Sequence, residues 1–394
     1  MSIPRNRVSD VRGAGRLAAE ATAGLASLVE ALHHNIALAP APWGRPVEVP
    51  MRGLSGFVYR SIRGTTRAVG GGVDLLLAQV EPLLANEPSS ARREALLAAL
   101  NGVLGDHLAQ SGNPLATRMH LRREGRAIDL ARPGLSPGIP HPRPRILLMV
   151  HGLCFNDLQW RRNGHDHGAE LAREAAAGRP LTELYLHYNS GLHISANGAQ
   201  LAATLEALVQ AWPVPVEEVA ILAHSMGGLV VRSACVHGAL AGHEWPRRLA
   251  RIVFLGTPHD GAPLERGGHW VNLALEASPY TAAFARLARL RSAGITDLRH
   301  GRFDADAAVP LPKGVDCYAV AASLATREGG LKERLLGDGL VPVDSALGRN
   351  AAPGGGGLFP ASHQAIVQGT NHLGLLDSPR VYGRIKGWIL KGTK

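Results

Sequence analysis

The sequence predicts an α/β protein: a mainly parallel sheet covered by helices, preceded by a helical N-terminal region. Three observations carry that expectation. From Arg145 onward, short apolar runs alternate with helical stretches, the rhythm of βαβ units. Upstream, apolar residues recur at helical spacing, as in Leu17, Ala21, Leu25, Leu28, Val29 and Leu32. Between the two regimes, Pro133, Pro137, Pro140, Pro142 and Pro144 are too densely placed for a helix or a central strand. The expected organisation is a mostly helical region over 1–131, a Pro-rich linker over 132–144, and an α/β domain over 145–394 with a helical insertion at about 264–306.

In chain order, helices are expected at 17–32, around 73–85 and at 90–108, the last because Ser89 and Ser90 can cap it and 93–100 lacks breakers. Strands are expected at 146–150, 183–188, 219–223, 252–255 and 315–321, with a last one near 365–368. Helices are expected at 167–177, 196–212, 227–236 and 381–390. The glycine run 354–357 reads as a loop, and no internal repeat is visible.

Composition narrows the function. Apolar residues at 45% and charged residues at 19% fit a globular chain of 394 residues that needs no staple to hold its core. Lys+Arg exceed Asp+Glu by 42 − 32 = 10, but with 6 Phe, 6 Tyr and 6 Trp and no basic-aromatic run there is no stacking platform for nucleic acid. Three cysteines, Cys154, Cys235 and Cys317, match no zinc spacing and cannot all pair, which suits reduced thiols. Glu20 and Glu30 interrupt any apolar signal region and no window is long and apolar enough to span a membrane, so a cytoplasmic protein is expected.

The sharpest chemical signal is Ala220-Ile-Leu-Ala-His-Ser225-Met-Gly-Gly, an apolar strand running into a serine with small residues two positions either side, then a helix. Such a serine sits on a strained strand-to-helix turn that lifts its Oγ toward substrate. Ala223 stands where the stricter pattern has glycine. A serine hydroxyl needs a base, and the base needs orienting. The order serine, acid, histidine is met by Asp338 in Gly337-Asp338-Gly339 and His372 in Asn371-His372-Leu373. Asp260 and Asp344 are rival acids. The tetrahedral intermediate needs two N–H donors: Met226, after the nucleophile, offers one and Leu153, in the loop His151-Gly152-Leu153 after an early strand, the other. His151 and Gly152 are read as support for that loop, Gly152 through its turn freedom. Cys154 is read as packing. His165-Asp166-His167 lacks the i, i+4 spacing of a helical metal pair and reads equally as a helix start. No cofactor and no metal are expected.

With these residues in place, the chain resembles bacterial lipases and esterases of the α/β-hydrolase superfamily. The resemblance rests on Val150-His151-Gly152-Leu153, Ala223-His224-Ser225-Met226-Gly227-Gly228, Gly256-Thr257-Pro258-His259, Asp338-Gly339-Leu340-Val341-Pro342 and Asn371-His372, in that order. The Ala-His-Ser-Met-Gly box resembles the small Bacillus-type lipases, and the Thr-Pro-His block resembles the GPI inositol-deacylase-like branch. It covers about 230 residues from Arg145 and implies Ser225, Asp338 and His372 as a triad, Leu153 and Met226 as an oxyanion hole, and a cap over the acyl pocket at 264–306. A hydrophobic ester or lipid is the implied substrate. An acyltransferase, a lipid-remodelling deacylase, a polyester depolymerase and a non-catalytic binding protein share the same scaffold. Residues 1–144 carry 17 Lys+Arg against 11 Asp+Glu, so docking of this region on an anionic membrane or a storage granule stands beside a plain helical appendage.

Overall fold

The structure is a computed structural model, and it describes residues 9–20, 91–131, 139, 141–261, 292–300, 310–325, 337–350 and 356–391. The chain divides into two compact units. One holds residues 1–2, 90–109 and 117–394; the other holds 3–89 and 110–116.

In the larger unit, eight described strands form one sheet in the order β2-β1-β4-β3-β5-β6-β7-β8. They are β1 His120–Arg123, β2 Arg126–Ala127, β3 Arg145–Val150, β4 Leu181–His187, β5 Glu218–His224, β6 Leu249–Leu255, β7 Asp316–Ser323 and β8 Gln364–Gln368. From β4 to β8 the pairing is parallel throughout, while β1 joins β4 antiparallel. The central strands are buried on both faces, which is why they read as near-continuous apolar runs such as Ile146-Leu-Leu-Met-Val150. The helices are α1 Ala91–Gln110, α2 His167–Ala175, α3 Ile194–Ala211, α4 Met226–Leu240, α5 Ala293–His300, α6 Val343–Ala346 and α7 Pro379–Ile389. On α3, Gly198 lets the helix press on Ser233 of α4. Tyr382 and Lys386 of α7 both reach Glu174 of α2. A mostly parallel sheet, helix-covered, with a sharp turn at the end of central β5, is the α/β-hydrolase architecture.

Each strand and helix expected after residue 145 is present within a few residues of its expected ends. The sheet begins earlier than expected, however, because residues 120–127 form the hairpin β1–β2 at its edge. Its two-residue turn, Glu124-Gly125, has both φ angles positive (52° and 73°), as a tight hairpin turn needs. Upstream of it, α1 is also part of the larger unit. Most of the expected cap lies outside the described residues, apart from 292–300, as do the helix expected around 73–85 and the glycine run before 356. In the smaller unit the described residues 9–20 are helical, which puts helix before the expected start at 17, while 21–32 of that expected helix lie outside the described residues. There Arg16 donates to the carbonyls of Ser111 and Gly112, and Asn113 Nδ2 to that of Gly13.

Candidate active site

Ser225 caps the N-terminus of α4 with φ 56° and ψ −129°, a left-handed conformation that costs an L-residue energy and is held by its surroundings. Its N–H donates to Leu255 O of β6 at 2.8 Å, and its own carbonyl accepts from Gly228 N at 3.1 Å. The turn demands small neighbours for reasons of space. A Cβ on Gly227 would lie 2.5 Å from His151 O and 2.7 Å from Val150 O, and one on Gly228 would strike Thr257. Ala223 is wholly buried, so its methyl group fits where the stricter motif has glycine. Ser225 is 1% exposed and its Oγ has no hydrogen-bond partner among the described residues.

Asp338 and His372 come from loops after neighbouring strands, β7 and β8. Asp338 Oδ2 accepts from His372 Nδ1 at 2.6 Å, and its Oδ1 accepts from the N–H groups of Leu340 (2.9 Å) and Val341 (2.8 Å). Each carboxylate oxygen therefore has its own donors, which fixes the rotamer. Gly337 (φ 53°) and Gly339 (φ 97°) make this tight loop possible. His372 lies beside the serine turn: a Cβ on Gly256, the residue after Leu255, would sit 3.0 Å from His372 Cε1. The structure thus joins His372 to Asp338 and places Ser225, Asp338 and His372 after the C-terminal ends of β5, β7 and β8.

The rival acids are engaged elsewhere. Asp260 accepts from Asn350 N at 3.3 Å, and burial raises its carboxyl pKa. Asp344 pairs with Arg349 at 2.5 Å. In the 165–167 run, Asp166 Oδ1 caps α2 by accepting from Gly168 and Ala169 N–H, while His165 Nε2 meets His167 Nδ1 at 2.7 Å. His167 Nε2 reaches Leu375 O at 3.0 Å, and burial lowers its pKa to about 4. Among the described residues no group of three or more His, Cys, Asp or Glu is arranged to hold a metal.

The loop after β3 packs against the serine turn. Gly152 is needed for closeness and not for turn freedom: its φ is ordinary, and a Cβ there would stand 2.8 Å from Ser225 Cβ. The left-handed residue of the loop is Cys154, φ 63°, whose N–H donates to Ser190 Oγ at 3.0 Å. Its thiol points to Ala99 O of α1 (3.9 Å), and burial pushes its pKa up to about 12, which suits packing and no thiolate chemistry. His151 Nδ1 meets Gly152 O at 2.9 Å; its ring stacks on Tyr188 with centroids 4.3 Å apart, and Tyr188 OH donates to His151 O at 2.8 Å. Burial lowers the His151 pKa to about 3, so the ring is neutral. Leu153 and Met226 are both buried, at the loop and at the first turn of α4.

Two supports have no counterpart in the motif reading. Gly102 and Gly105 of α1 let that helix lie directly on Cys154 and Asn189; their i, i+3 spacing is the signal that a close helix contact leaves in a sequence. Next to the loop, Arg122 Nη1 bridges Glu94 and Asp157 at 3.0 Å each, and Asp157 accepts from His187 Nδ1 at 2.8 Å. This buried network draws on α1, β1, the turn after the loop and β4, so no local pattern announces it.

A family model described as a domain of unknown function (DUF7379) matches residues 128–299. No curated protein matches the chain. Among solved structures, the chain is similar to a lipase of Bacillus licheniformis, BlEst2 in mature form, at 18% identity with a TM-score of 0.42, covering 64% of this chain and 96% of that one. It is also similar to the RedJ thioesterase of Streptomyces coelicolor (14% identity, TM-score 0.40, 65% and 91% covered). A third likeness is to a thermophilic esterase of Thermogutta terrifontis (12% identity, TM-score 0.37, 64% and 94% covered).

Proposed function

We propose that the chain is a serine hydrolase of carboxylic esters, with Ser225 as nucleophile, His372 as base and Asp338 as its orienting acid. The observation that supports this best is the 2.6 Å hydrogen bond between His372 Nδ1 and Asp338, held beside a serine in a strained turn at the end of β5. With Nδ1–H given to Asp338, Nε2 is the basic nitrogen. Ser225 Oγ attacks the ester carbonyl carbon as its proton passes to His372 Nε2. The same proton then goes to the departing alkoxide, which leaves as the alcohol. Water repeats the sequence on the acyl-enzyme, releasing the carboxylic acid and restoring the serine. Asp338 stays ionised and stabilises the imidazolium. The N–H groups of Met226 and Leu153 are the proposed donors to the oxyanion, Met226 from the first turn of α4, where the helix end adds positive potential.

The substrate class proposed is a hydrophobic ester or lipid, on which residues 1–144 act as a docking region or as a plain appendage. In the described part no helix is long and apolar enough to cross a membrane. The test is a p-nitrophenyl ester series from acetate to palmitate on wild type and Ser225→Ala. Serine-dependent turnover is expected, and its chain-length maximum distinguishes an esterase from a lipase. A folded wild type that turns over none of the series overturns the reading for simple esters.

A further inference from the structure

His224, the residue before the nucleophile, has no place in the triad or the oxyanion hole, yet its side chain is buried against both. Its Nε2 lies 3.3 Å from the carbonyl oxygen of His372, and the two rings stand 4.7 Å apart, tilted by 46°. A carbonyl oxygen only accepts, so Nε2 carries the proton and Nδ1 is left with a lone pair. Nδ1 has no hydrogen-bond partner among the described residues, and it faces Gly152, where a Cβ would be 3.3 Å away. The rings of Phe155 and Trp160 make T-shaped contacts with the His224 ring, their centroids 6.0 and 6.4 Å away. Burial, followed by the proximity of His372, holds the His224 pKa well below its ordinary value, so the ring is neutral.

Among the described residues, three hydrogen bonds hold His372. Its side-chain Nδ1 is bound to Asp338 Oδ2, its backbone N–H donates to Asp338 O at 3.2 Å, and its backbone C=O accepts from His224. Of these, Asp338 supplies two and His224 the other. The serine turn and the histidine loop come from different strands, so the bond from residue 224 to residue 372 ties the base directly to the residue next to the nucleophile.

We propose that His224 is a positioning residue: a neutral strut whose Nε2–H fixes the carbonyl of His372 and so sets where that imidazole stands relative to Ser225. This rests on the hydrolase reading for its catalytic consequence, though not for its geometry. The plain alternative is that His224 only fills space, and two substitutions separate the two. His224→Phe keeps a ring between Phe155, Trp160 and His372 but removes the donor. His224→Gln keeps an amide N–H near the position of Nε2 but removes the ring.

The strut predicts that His224→Phe loses about tenfold to a hundredfold in kcat with KM nearly unchanged, since small displacements of a reacting group cost rate and not binding. His224→Gln recovers most of that loss. The reverse order, Phe active and Gln impaired, overturns the proposal in favour of packing. His224→Leu serves as the donor-free variant if the larger Phe ring does not fold in place, with thermal melts reporting integrity. A second readout needs no turnover: the low-field proton resonance of His372 Nδ1–H. It is expected to shift or broaden in Phe and Leu and to persist in Gln. If the wild type shows no Ser225-dependent activity, the hydrolase reading fails by itself while this resonance still judges the strut. An unchanged resonance in both donor-free variants overturns it.

Discussion

At the scale of single residues, the site is defined by what each side chain and each missing side chain must do. Ser225→Ala removes the proposed nucleophile and is expected to lower kcat by several orders of magnitude with the melt unchanged. Asp338→Asn leaves His372 an amide partner that no longer holds the right tautomer, and a loss of roughly 10⁴ is expected, somewhat less than for the serine. Asp260→Asn is the control. Its carboxylate is bonded to Asn350, so activity within a few-fold of wild type is expected, and a loss exceeding that of Asp338→Asn would reverse the assignment of the acid. Ser225, Asp338 and His372 could be singled out in the sequence because each sits in a short segment bounded by small residues, and the three follow one another in the order of the strands that precede them. Gly152 reads in the sequence as a turn residue, because the approach of Ser225 Cβ comes from 73 positions away (225 − 152) and leaves no local trace. His224 was equally invisible, its acceptor being the carbonyl of His372.

At the scale of elements, the parallel strands were legible because burial on both faces forces continuous apolar runs. The hairpin β1–β2 was not, because His-Leu-Arg-Arg buries one side chain of four, Leu121, and its short, charged stretch mimics a loop. The Glu124-Gly125 pair was the available hint. Helix α1 was legible as a helix but not as part of the larger unit, since Gly102 and Gly105 reveal their purpose only when Cys154 and Asn189 are set against them. Gly102→Ala would overlap Cys154 Sγ and approach its Cα to 2.9 Å. The expected cost is about 1–3 kcal/mol in denaturant unfolding, with a fall in kcat as the loop bearing Leu153 shifts. On α7 the outcome is opposite: Gly383 and Gly387 are helical and have open space where a Cβ would go. Replacing either by Ala is expected to stabilise by about 0.5–1 kcal/mol, seen as a higher Tm at unchanged activity.

At the scale of the whole molecule, buried neutral histidines set the response to acid. His151 is lowered to about 3 and His167 to about 4, and His224 and His259 lie well below the usual value, each chiefly through burial. Below pH 6.5 the unfolded chain takes up protons at these positions while the native state does not. Stability therefore falls as pH drops from about 6.5 toward 4, by up to about 1.4 kcal/mol per pH unit for each such histidine. Urea midpoints measured from pH 7.5 to 4.5 check this, and a flat profile would contradict the neutral assignments. The central claim concerns chemistry at one atom. It is tested most directly by labelling the native full-length chain with a fluorophosphonate and locating the adduct by peptide mass spectrometry. A single phosphonyl group on Ser225, absent in Ser225→Ala and formed far more slowly in Asp338→Asn, is the result the account predicts. A folded protein that stays unlabelled, or carries the adduct on another residue, would contradict it.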